Sequence, residues 1–400
     1  MNFSLYIAKR YLFSKSSNNT INIITLIAAN GVIVGTLALF IVLSGFSGLR
    51  EFSISFLKTS DPDIKITAAK GKSFNFNEEI QEKIEHEKDV IAFSKVIEER
   101  AFFSFNEKTH IAYIKGVDAN YTNVNKIDST VYSGTWLNAE IPSGVVIGNG
   151  IANILSLGVY NFLESLKIYV PKPGKGYITN PKNAFNQIKT QPIGVFILTD
   201  DTDKKYTFLH LEMAQLLLNY KPTQISGIEL KVNELADKNL IAENLQNTLG
   251  NSFKVETREK LNAVFYKMLN TENLASYLIF TLILIIALFN VIGAIIMMIL
   301  DKKDNLKTLY SIGATIKDIK RVFVFQGFLL TLFGLIIGLI MGVVLVLLQQ
   351  KFQLFMITPQ LAYPIKLTLF NVGIVVSTIL ILGYLASRIA SGRISKKLVE

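Results

Sequence analysis

Four long stretches without a charged side chain constrain this chain more than any other feature of its sequence. They are bounded by Lys15 and Arg50, by Glu272 and Asp301, by Arg321 and Lys351, and by Lys366 and Arg388. Helices rise about 1.5 Å per residue, so roughly 20 apolar residues cross the roughly 30 Å hydrocarbon core of a bilayer. Soluble domains rarely bury one such helix, and the sequence therefore predicts an integral membrane protein with four transmembrane helices.

The spacing of these stretches predicts one transmembrane helix, a large extracytoplasmic α+β domain, and then three more transmembrane helices. In chain order we expect a cytoplasmic amphipathic segment at 1–20, helix one at 21–48, the external (periplasmic) domain at 49–272, helix two at 273–300, a cytoplasmic loop at 301–321, helix three at 322–350, an external loop at 351–367, helix four at 368–388 and a cytoplasmic tail at 389–400.

The distribution of charge supports this topology. Nearly all of the net charge of +10 comes from the N-terminal segment, the 301–321 loop and the C-terminal tail. Basic residues concentrate in the cytoplasmic loops of membrane proteins, so we expect both termini in the cytoplasm. Because the rest of the chain is nearly neutral, no nucleic-acid partner is predicted.

The external domain is expected to be stabilised by its own core, because the chain has no cysteine to form a disulfide. Residue patterns place strand–helix–strand units at 63–97 and 225–256, and we expect these units to be neighbours in space. A helix is expected to run without interruption from Arg258 through Met268 into the second transmembrane helix.

Residues 171–191 form the least regular external stretch, rich in proline and glycine and basic in charge. Such a loop is either mobile or an arm that binds a partner. The residues that would form the arm's binding surface are Pro171, Pro173, Tyr177, Ile178, Pro181 and Phe185.

A short helix is predicted inside the cytoplasmic 301–321 loop. Asp304 is expected to cap its N-terminus, and Gly313 to end it in a left-handed conformation. A capping box over Thr315–Asp318 then begins the next helix. Three apolar side chains share one face of the short helix, namely Leu306, Leu309 and Tyr310. This face must meet a membrane or another protein.

Small residues within the transmembrane stretches predict where helices approach closely. In the first stretch they are Gly31, Gly35, Ser44 and Gly45, and in the third they form a four-residue repeat of Gly334, Gly338 and Gly342. Asn290 lies in the middle of the second stretch, where an amide is costly in lipid unless it pairs with another helix.

No chemistry-bearing motif accompanies these helices. The sequence has no GxxxxGK[ST] loop for ATP, no HExxH and no GxSxG. Its three histidines are scattered, so neither a metal site nor a catalytic site is predicted. No charged residue lies inside a transmembrane stretch, which argues against an ion-driven carrier. We therefore expect a membrane protein without an enzyme activity or a bound cofactor of its own.

Several short motifs resemble the FtsX-like permeases, most closely the LolC/LolE lipoprotein-releasing type, which is related to MacB. They are Ala8-Lys-Arg-Tyr-Leu12, Ile33-Val-Gly35, Leu43-Ser-Gly-Phe46, Phe289-Asn-Val-Ile292, Met298-Ile-Leu-Asp-Lys-Lys303, Ser311-Ile-Gly-Ala314 and Phe325-Gln-Gly327. The resemblance covers essentially the whole chain. Tyr310 and Ser311 stand where the family more often has an Arg-Thr pair.

The resemblance implies a bacterial inner-membrane subunit of an ABC transporter that passes lipoproteins to a periplasmic carrier. A separate ATPase dimer would bind ATP and magnesium, and a second permease chain, identical or paralogous, would complete the assembly. The 304–313 helix would be the coupling helix, and 171–191 would receive the carrier. The implied ATPase-coupling residues are Asp301, Lys302, Lys303, Asp304, Leu306, Leu309, Tyr310, Gly313 and Ala314.

Two other functions are compatible with the same architecture. One is an FtsX-like mechanotransmitter that activates a cell-wall hydrolase outside the membrane. The other is a MacB-like efflux permease, which would work with an adaptor and an outer-membrane duct. Identifying the protein that binds the external arm would distinguish these two functions from lipoprotein release.

Overall fold

A computed structural model describes residues 3–13, 19–159, 164–172, 184–358 and 361–395. The chain forms two compact units, a membrane unit of Met1–Phe52 with Lys267–Glu400 and an α+β unit of Ser53–Tyr266. Within these described ranges, four helices are long and apolar enough to cross a membrane, and the α+β unit is inserted between the first and the second. The predicted fold class is therefore confirmed.

The helices are α1 (Phe3–Phe13), α2 (Asn19–Ser60), α3 (Glu78–Glu85), α4 (Tyr121–Val124), α5 (Asn149–Leu155), α6 (Asp200–Lys205), α7 (Leu211–Leu218), α8 (Lys238–Leu249), α9 (Arg258–Leu261), α10 (Ala263–Asp301), α11 (Lys303–Ser311), α12 (Ile316–Phe352) and α13 (Leu369–Ser391), with a 3₁₀ turn at Ile127–Thr130. The strands are β1 (Ile64–Ala68), β2 (Phe74–Asn75), β3 (Val90–Phe105), β4 (Lys108–Val117), β5 (Val131–Gly134), β6 (Gly144–Gly148), β7 (Leu166–Pro171), β8 (Phe185–Phe196), β9 (Tyr206–His210), β10 (Gln224–Ile225), β11 (Gly227–Val232), β12 (Phe253–Thr257), β13 (Met356–Thr358) and β14 (Leu361–Ala362).

The membrane-crossing helices are longer than the apolar stretches that predicted them. Helix α2 has 42 residues and continues to Ser60, two residues before Pro62, the next residue that disfavours a helix. Helix α10 has 39 residues and begins at Ala263. Polar residues that tolerate helical geometry extend both helices beyond their apolar stretches, after the stretch in α2 and before it in α10.

The expected continuous helix from Arg258 is wrong, because α9 and α10 are separated at Asn262. The Asn262 backbone departs from α-helical geometry, with φ −110° and ψ 33°. Its side-chain amide donates to Asp61 Oδ2 at 2.8 Å and to the Arg258 carbonyl at 3.1 Å. Asparagine side chains compete with the backbone for such partners, which explains the break.

Helices α2 and α12 meet at the predicted glycine repeat. A Cβ atom on Gly334 would lie 2.8 Å from Val32, one on Gly338 would lie 2.5 Å from the Ile33 carbonyl oxygen, and one on Gly342 would lie 2.8 Å from Phe40. No side chain other than hydrogen fits at these distances. The repeat therefore allows the two helices to approach almost to backbone contact.

The other predicted packing residues divide into two groups. Gly35 faces Leu284 of α10, Gly45 faces Tyr363, Ser44 is fully buried and Gly31 is half-buried. Asn290, in contrast, is exposed on α10. None of the described helices therefore buries the Asn290 amide, and its predicted helix partner is not found among the described residues.

In the described part of the α+β unit, ten strands form one sheet. Its strand order is β12-β1-β11-β3-β4-β9-β6-β8-β5, and β7 pairs with both β3 and β8. The β4–β9 and β6–β8 pairs are parallel, and the remaining pairs are antiparallel. Strand β1 lies between β11 and β12, and β11 also pairs with β3. The two strand–helix–strand units are thus neighbours, as predicted.

A network of buried charges crosses four neighbouring strands of this sheet. Glu229 on β11 is fully buried and forms ion pairs with Lys115 on β4 at 2.9 Å and with Lys65 on β1 at 3.5 Å. Asn125 donates to the same carboxylate at 2.7 Å. Lys65 also pairs with Glu98 on β3 at 2.8 Å. Each buried charge therefore has an opposite charge as its neighbour, which buried ions require.

The network changes the protonation behaviour of its members. Burial alone would raise the pKa of Glu98, but the Lys65 and Lys115 ammonium groups outweigh it and lower the pKa to about 2. Burial alone would lower the pKa of Lys115, but the Glu229 carboxylate holds it well above its usual value. Both groups stay charged at neutral pH in the folded α+β unit.

We expect Gly338→Leu to destabilise the membrane unit by at least about 2 kcal/mol, because the new side chain overlaps the α2 backbone. Gly293→Leu is the matched control, since a Cβ atom on Gly293 meets nothing within 4 Å. The measurement is the melting temperature in detergent. Equal melting temperatures for the two variants would contradict the packing of α12 on α2.

We expect the α+β unit to lose stability as the pH falls from about 5 towards 2. A carboxylate with a lowered folded pKa stabilises the fold above its unfolded pKa and stops doing so as the pH falls through its folded pKa. Trp136, the single tryptophan, packs on Phe208 at 5.2 Å and reports unfolding of this unit by fluorescence. Glu98→Gln should flatten the pH dependence, whereas an unchanged acid transition would exclude Glu98 as its cause.

Candidate functional site

Helix α11 connects α10 to α12 and is the predicted short helix of the 301–321 loop. It begins at Lys303, directly after α10 ends at Asp301, and Lys302 occupies the cap position without a side-chain hydrogen bond. The prediction that Asp304 caps this helix is wrong. Because the helix starts earlier, Asp304 lies in its first turn, where its negative charge still interacts favourably with the helix dipole.

The C-terminal end of α11 has the predicted geometry. Gly313 has φ +106°, its N–H donates to the Tyr310 carbonyl at 3.0 Å, and the Ala314 N–H donates to the Leu309 carbonyl at 3.0 Å. These two bonds form a Schellman motif. The Thr315 hydroxyl then accepts from the Asp318 N–H at 3.2 Å, within a capping box that begins α12. The turn between α11 and α12 is therefore closely defined.

The apolar face of α11 points into the membrane unit. Leu306 is fully buried in a cluster that also contains Ile299 of α10 and Phe323 of α12. Leu309 and Tyr310 are half-buried against the same cluster. The three residues share one face as predicted, but that face is covered by the chain's own helices and is not a free surface for a partner.

The opposite face of α11 is the accessible one. Its exposed residues are Asp304, Asn305, Thr308, Ser311 and Ile312, and Lys303 is also exposed at the start of the helix. Ile312 has 78% of its surface exposed, which is unusual for an apolar side chain beside a helix end. Among the other predicted coupling residues, Gly313 is exposed, whereas Asp301, Lys302 and Ala314 are half-buried. Ile312 is not among the predicted coupling residues, because the helical periodicity that predicted the binding face follows Leu306.

Helix α1 packs beside this site. Ser4 and Ala8 are buried, and the Ser4 hydroxyl donates to the Asp318 carbonyl at 3.4 Å. The Tyr11 ring lies 6.4 Å from that of Phe323, and burial raises the pKa of the Tyr11 hydroxyl, which also contacts Asn305. The N-terminal segment is thus a helix that contacts both α11 and α12.

The predicted arm is only partly described. Pro173, Tyr177, Ile178 and Pro181 lie outside the described residues. Pro171 ends β7 and lies opposite Phe185, the first residue of β8. The prediction that 185–191 belongs to an irregular arm is therefore wrong. Residues 186–190 pair with β7, and Ile188 and Thr190 are buried in the alternating pattern of a strand.

A groove lies beside the two strands that carry the arm. It has a volume of about 1220 Å³, and its apolar lining includes Phe102, Ile111, Tyr169 and Phe185. The Tyr169 ring lies 6.0 Å from Phe102 and 6.5 Å from Phe185. Phe102, Ile111 and Phe185 are 38%, 52% and 43% exposed. The sequence did not predict this groove, because its residues come from several strands that are brought together only by strand pairing.

We expect Leu306→Ala to destabilise the membrane unit by about 2–5 kcal/mol, because it leaves a cavity under α11. Ile312→Ala removes an exposed side chain of the same class and should change stability by less than about 0.5 kcal/mol. Melting temperatures in detergent distinguish the two. A lower melting temperature for Ile312→Ala than for Leu306→Ala would contradict the orientation of α11.

Residues 277–394 match the family model of the FtsX-like permease C-terminal domain. This segment contains α11, α12, α13 and most of α10.

The curated relatives align with both units. The chain is 24% identical over 355 residues to the lipoprotein-releasing system transmembrane protein LolE of Haemophilus influenzae, covering 87% of this chain and 83% of that protein. It is 24% identical over 367 residues to LolC of the same organism, covering 86% and 84%. LolC of Neisseria meningitidis serogroup B is 23% identical over 362 residues, covering 86% and 82%.

Two solved structures are similar to part of the chain. The extracellular domain of the noncanonic ABC-type transporter YknZ from Gram-positive bacteria is 14% identical, with a TM-score of 0.34, over 48% of this chain and 99% of that chain. The periplasmic region of MacB from Actinobacillus actinomycetemcomitans is 12% identical, with a TM-score of 0.34, over 51% and 92%.

Proposed function

We propose that this chain, a LolC/LolE-like ABC permease with an FtsX-like C-terminal domain, extracts lipoproteins from the bacterial inner membrane and passes them to a periplasmic carrier. The observation that carries the proposal is the two-sided helix α11. Its apolar face is buried on α10 and α12, and its polar face with Ile312 is free to bind another protein.

Energy for extraction enters at α11. The chain has no P-loop, so ATP and magnesium bind to a separate ATPase dimer. The ATPase contacts Lys303, Asp304, Thr308 and Ile312 on the exposed face. When it closes on nucleotide it displaces α11, and Leu306 transmits the displacement to α10 and α12 because it is enclosed by their side chains.

The energetic requirement explains why a partner is needed. Each buried methylene group of an acyl chain contributes about 0.8 kcal/mol to membrane binding, so a triacylated lipoprotein is held by tens of kcal/mol. Extraction therefore needs both ATP and an apolar surface that receives the chains. A carrier seated on the arm and the aromatic groove beside β7 and β8 provides the exit from the membrane.

A second permease chain, identical or paralogous, completes the transporter. Asn290 supports this part of the proposal, because its amide is exposed on a membrane-spanning helix. An exposed amide in hydrocarbon is unfavourable unless another helix supplies a hydrogen bond. The second chain places such a helix against α10.

We expect Ile312→Asp to abolish stable binding of the ATPase without unfolding the chain, since the side chain is exposed. Leu235→Asp is the matched control, because Leu235 is 97% exposed in the α+β unit. Co-purification in mild detergent measures binding. Normal binding by the Ile312 variant would show that α11 is not the docking helix.

Depletion of the chain tests the cargo. Lipoproteins destined for other membranes should accumulate in the inner membrane, and the wild-type chain but not the Ile312→Asp variant should restore their release. If mature lipoproteins leave normally during depletion, the proposed cargo is wrong. Capture of a cell-wall hydrolase by a photocrosslinker at Phe185, without a lipoprotein carrier, would instead support mechanotransmission.

A further inference from the structure

A groove opens on the membrane unit between α10 and α13. It has a volume of about 710 Å³ and is lined by Tyr277 and Thr281 of α10 and by Gly373, Ser377 and Ile381 of α13, among others. A Cβ atom on Gly373 would meet nothing within 4 Å, so no side chain of the described residues fills this part of the groove. The groove is wide enough to admit an alkyl chain.

The groove also contains polar atoms, although it lies among apolar residues. The Tyr277 and Thr378 hydroxyls are 2.9 Å apart and satisfy each other. The Thr281 hydroxyl oxygen is buried and has no hydrogen-bond partner in the part of the chain that the structure describes. A buried hydroxyl without a partner is unfavourable, and a ligand carbonyl would satisfy it.

A smaller cavity of about 110 Å³ adjoins the groove and shares Phe370 and Ile374 with it. Its lining is more polar and includes Ser47, Asn273, Asn371, Arg50 and Glu272. The Asn371 amide donates to the Leu43 carbonyl at 3.1 Å and to the Ser47 hydroxyl at 2.8 Å. This cavity is therefore held between α2 and α13 by defined hydrogen bonds.

Arg50 and Glu272 give the smaller cavity its charge. Both are exposed, and neither forms an ion pair with another residue in the described ranges, whereas neighbouring Glu51 pairs with Lys366 at 2.5 Å. Arg50 ends the first charge-free stretch and Glu272 precedes the second. The pair therefore lies at the polar boundary of the membrane, on the side where the α+β unit is inserted.

We propose that the groove and the adjoining cavity bind one zwitterionic aminophospholipid of the surrounding membrane. Arg50 binds the phosphate, Glu272 binds the ammonium group, and one acyl chain lies along Gly373 and Ser377 with its ester carbonyl near Thr281. A guanidinium and a carboxylate that line the same cavity complement both charges of such a head group. This lipid binds whether or not the chain moves lipoproteins.

Other occupants fit the charges less well. An anionic lipid without an ammonium group would leave Glu272 beside a like charge. An apolar helix of a second copy would leave both charged groups without a partner and Thr281 without a hydrogen bond. The zwitterionic lipid provides a partner for each of Arg50, Glu272 and Thr281.

The test uses the full-length chain in nanodiscs that contain a phospholipid with a photoactivatable group in one acyl chain. We expect labelling of peptides 277–281 and 369–381, mapped by mass spectrometry. Phosphatidylethanolamine should label these peptides about fivefold more than phosphatidylglycerol. This preference is the upper end of what one exposed ion pair contributes to binding. Equal labelling by the two lipids, or uniform labelling of all membrane helices, would overturn the proposal.

Matched variants separate the two parts of the site. Gly373→Leu fills the groove and should greatly reduce labelling, whereas Gly293→Leu, also in open space, should not. Glu272→Gln should remove the preference for phosphatidylethanolamine, and Arg50→Gln should weaken labelling by both lipids. Unchanged labelling in Gly373→Leu would exclude the groove.

A cysteine variant tests the competing occupant. The chain has no cysteine, so Ser377→Cys introduces a single thiol in the groove. With a lipid in place we expect this variant to form no disulfide-linked dimer under oxidation. An efficient disulfide-linked dimer would show that a second copy occupies the groove and would overturn the proposal.

Discussion

The close contact of α12 with α2 is the interaction on which the membrane unit depends. Hydrocarbon offers no hydrophobic driving force between helices, so their association requires extensive van der Waals contact. Gly334, Gly338 and Gly342 provide it by removing side chains where the backbones meet. This contact positions the start of α12, and with it the buried pocket that receives Leu306 of α11.

Helix α11 divides two tasks between its faces. The apolar face belongs to the membrane unit, and α1 adds a further contact through Tyr11. The polar face carries the groups available to a partner, with Ile312 as its single large apolar side chain. For an amphipathic helix between two transmembrane helices, the polar side is therefore the better candidate for a docking surface. Its apolar side is already buried against the neighbouring helices.

Much of this fold follows from local patterns. Alternation is strong over Val90–Phe105 and helical periodicity over Leu211–Leu218, and the structure forms a strand and a helix with these bounds. Local patterns do not show what covers a surface. The burial of Leu306, the strand pairing of Phe185 and the groove around Phe102 all depend on segments elsewhere in the chain, so local patterns alone do not predict them. The Asn262 break depends on Asp61 for the same reason.

The charge network of the α+β unit has a mechanical consequence. Glu229, Lys115, Lys65 and Glu98 are contributed by four different strands. Sliding any one strand by a single residue would turn its ion to the opposite face and leave its partners buried and uncompensated. Shear between these strands is therefore opposed by several ion pairs at once. A force applied to one edge of this part of the sheet is delivered to the other edge with little loss to internal deformation.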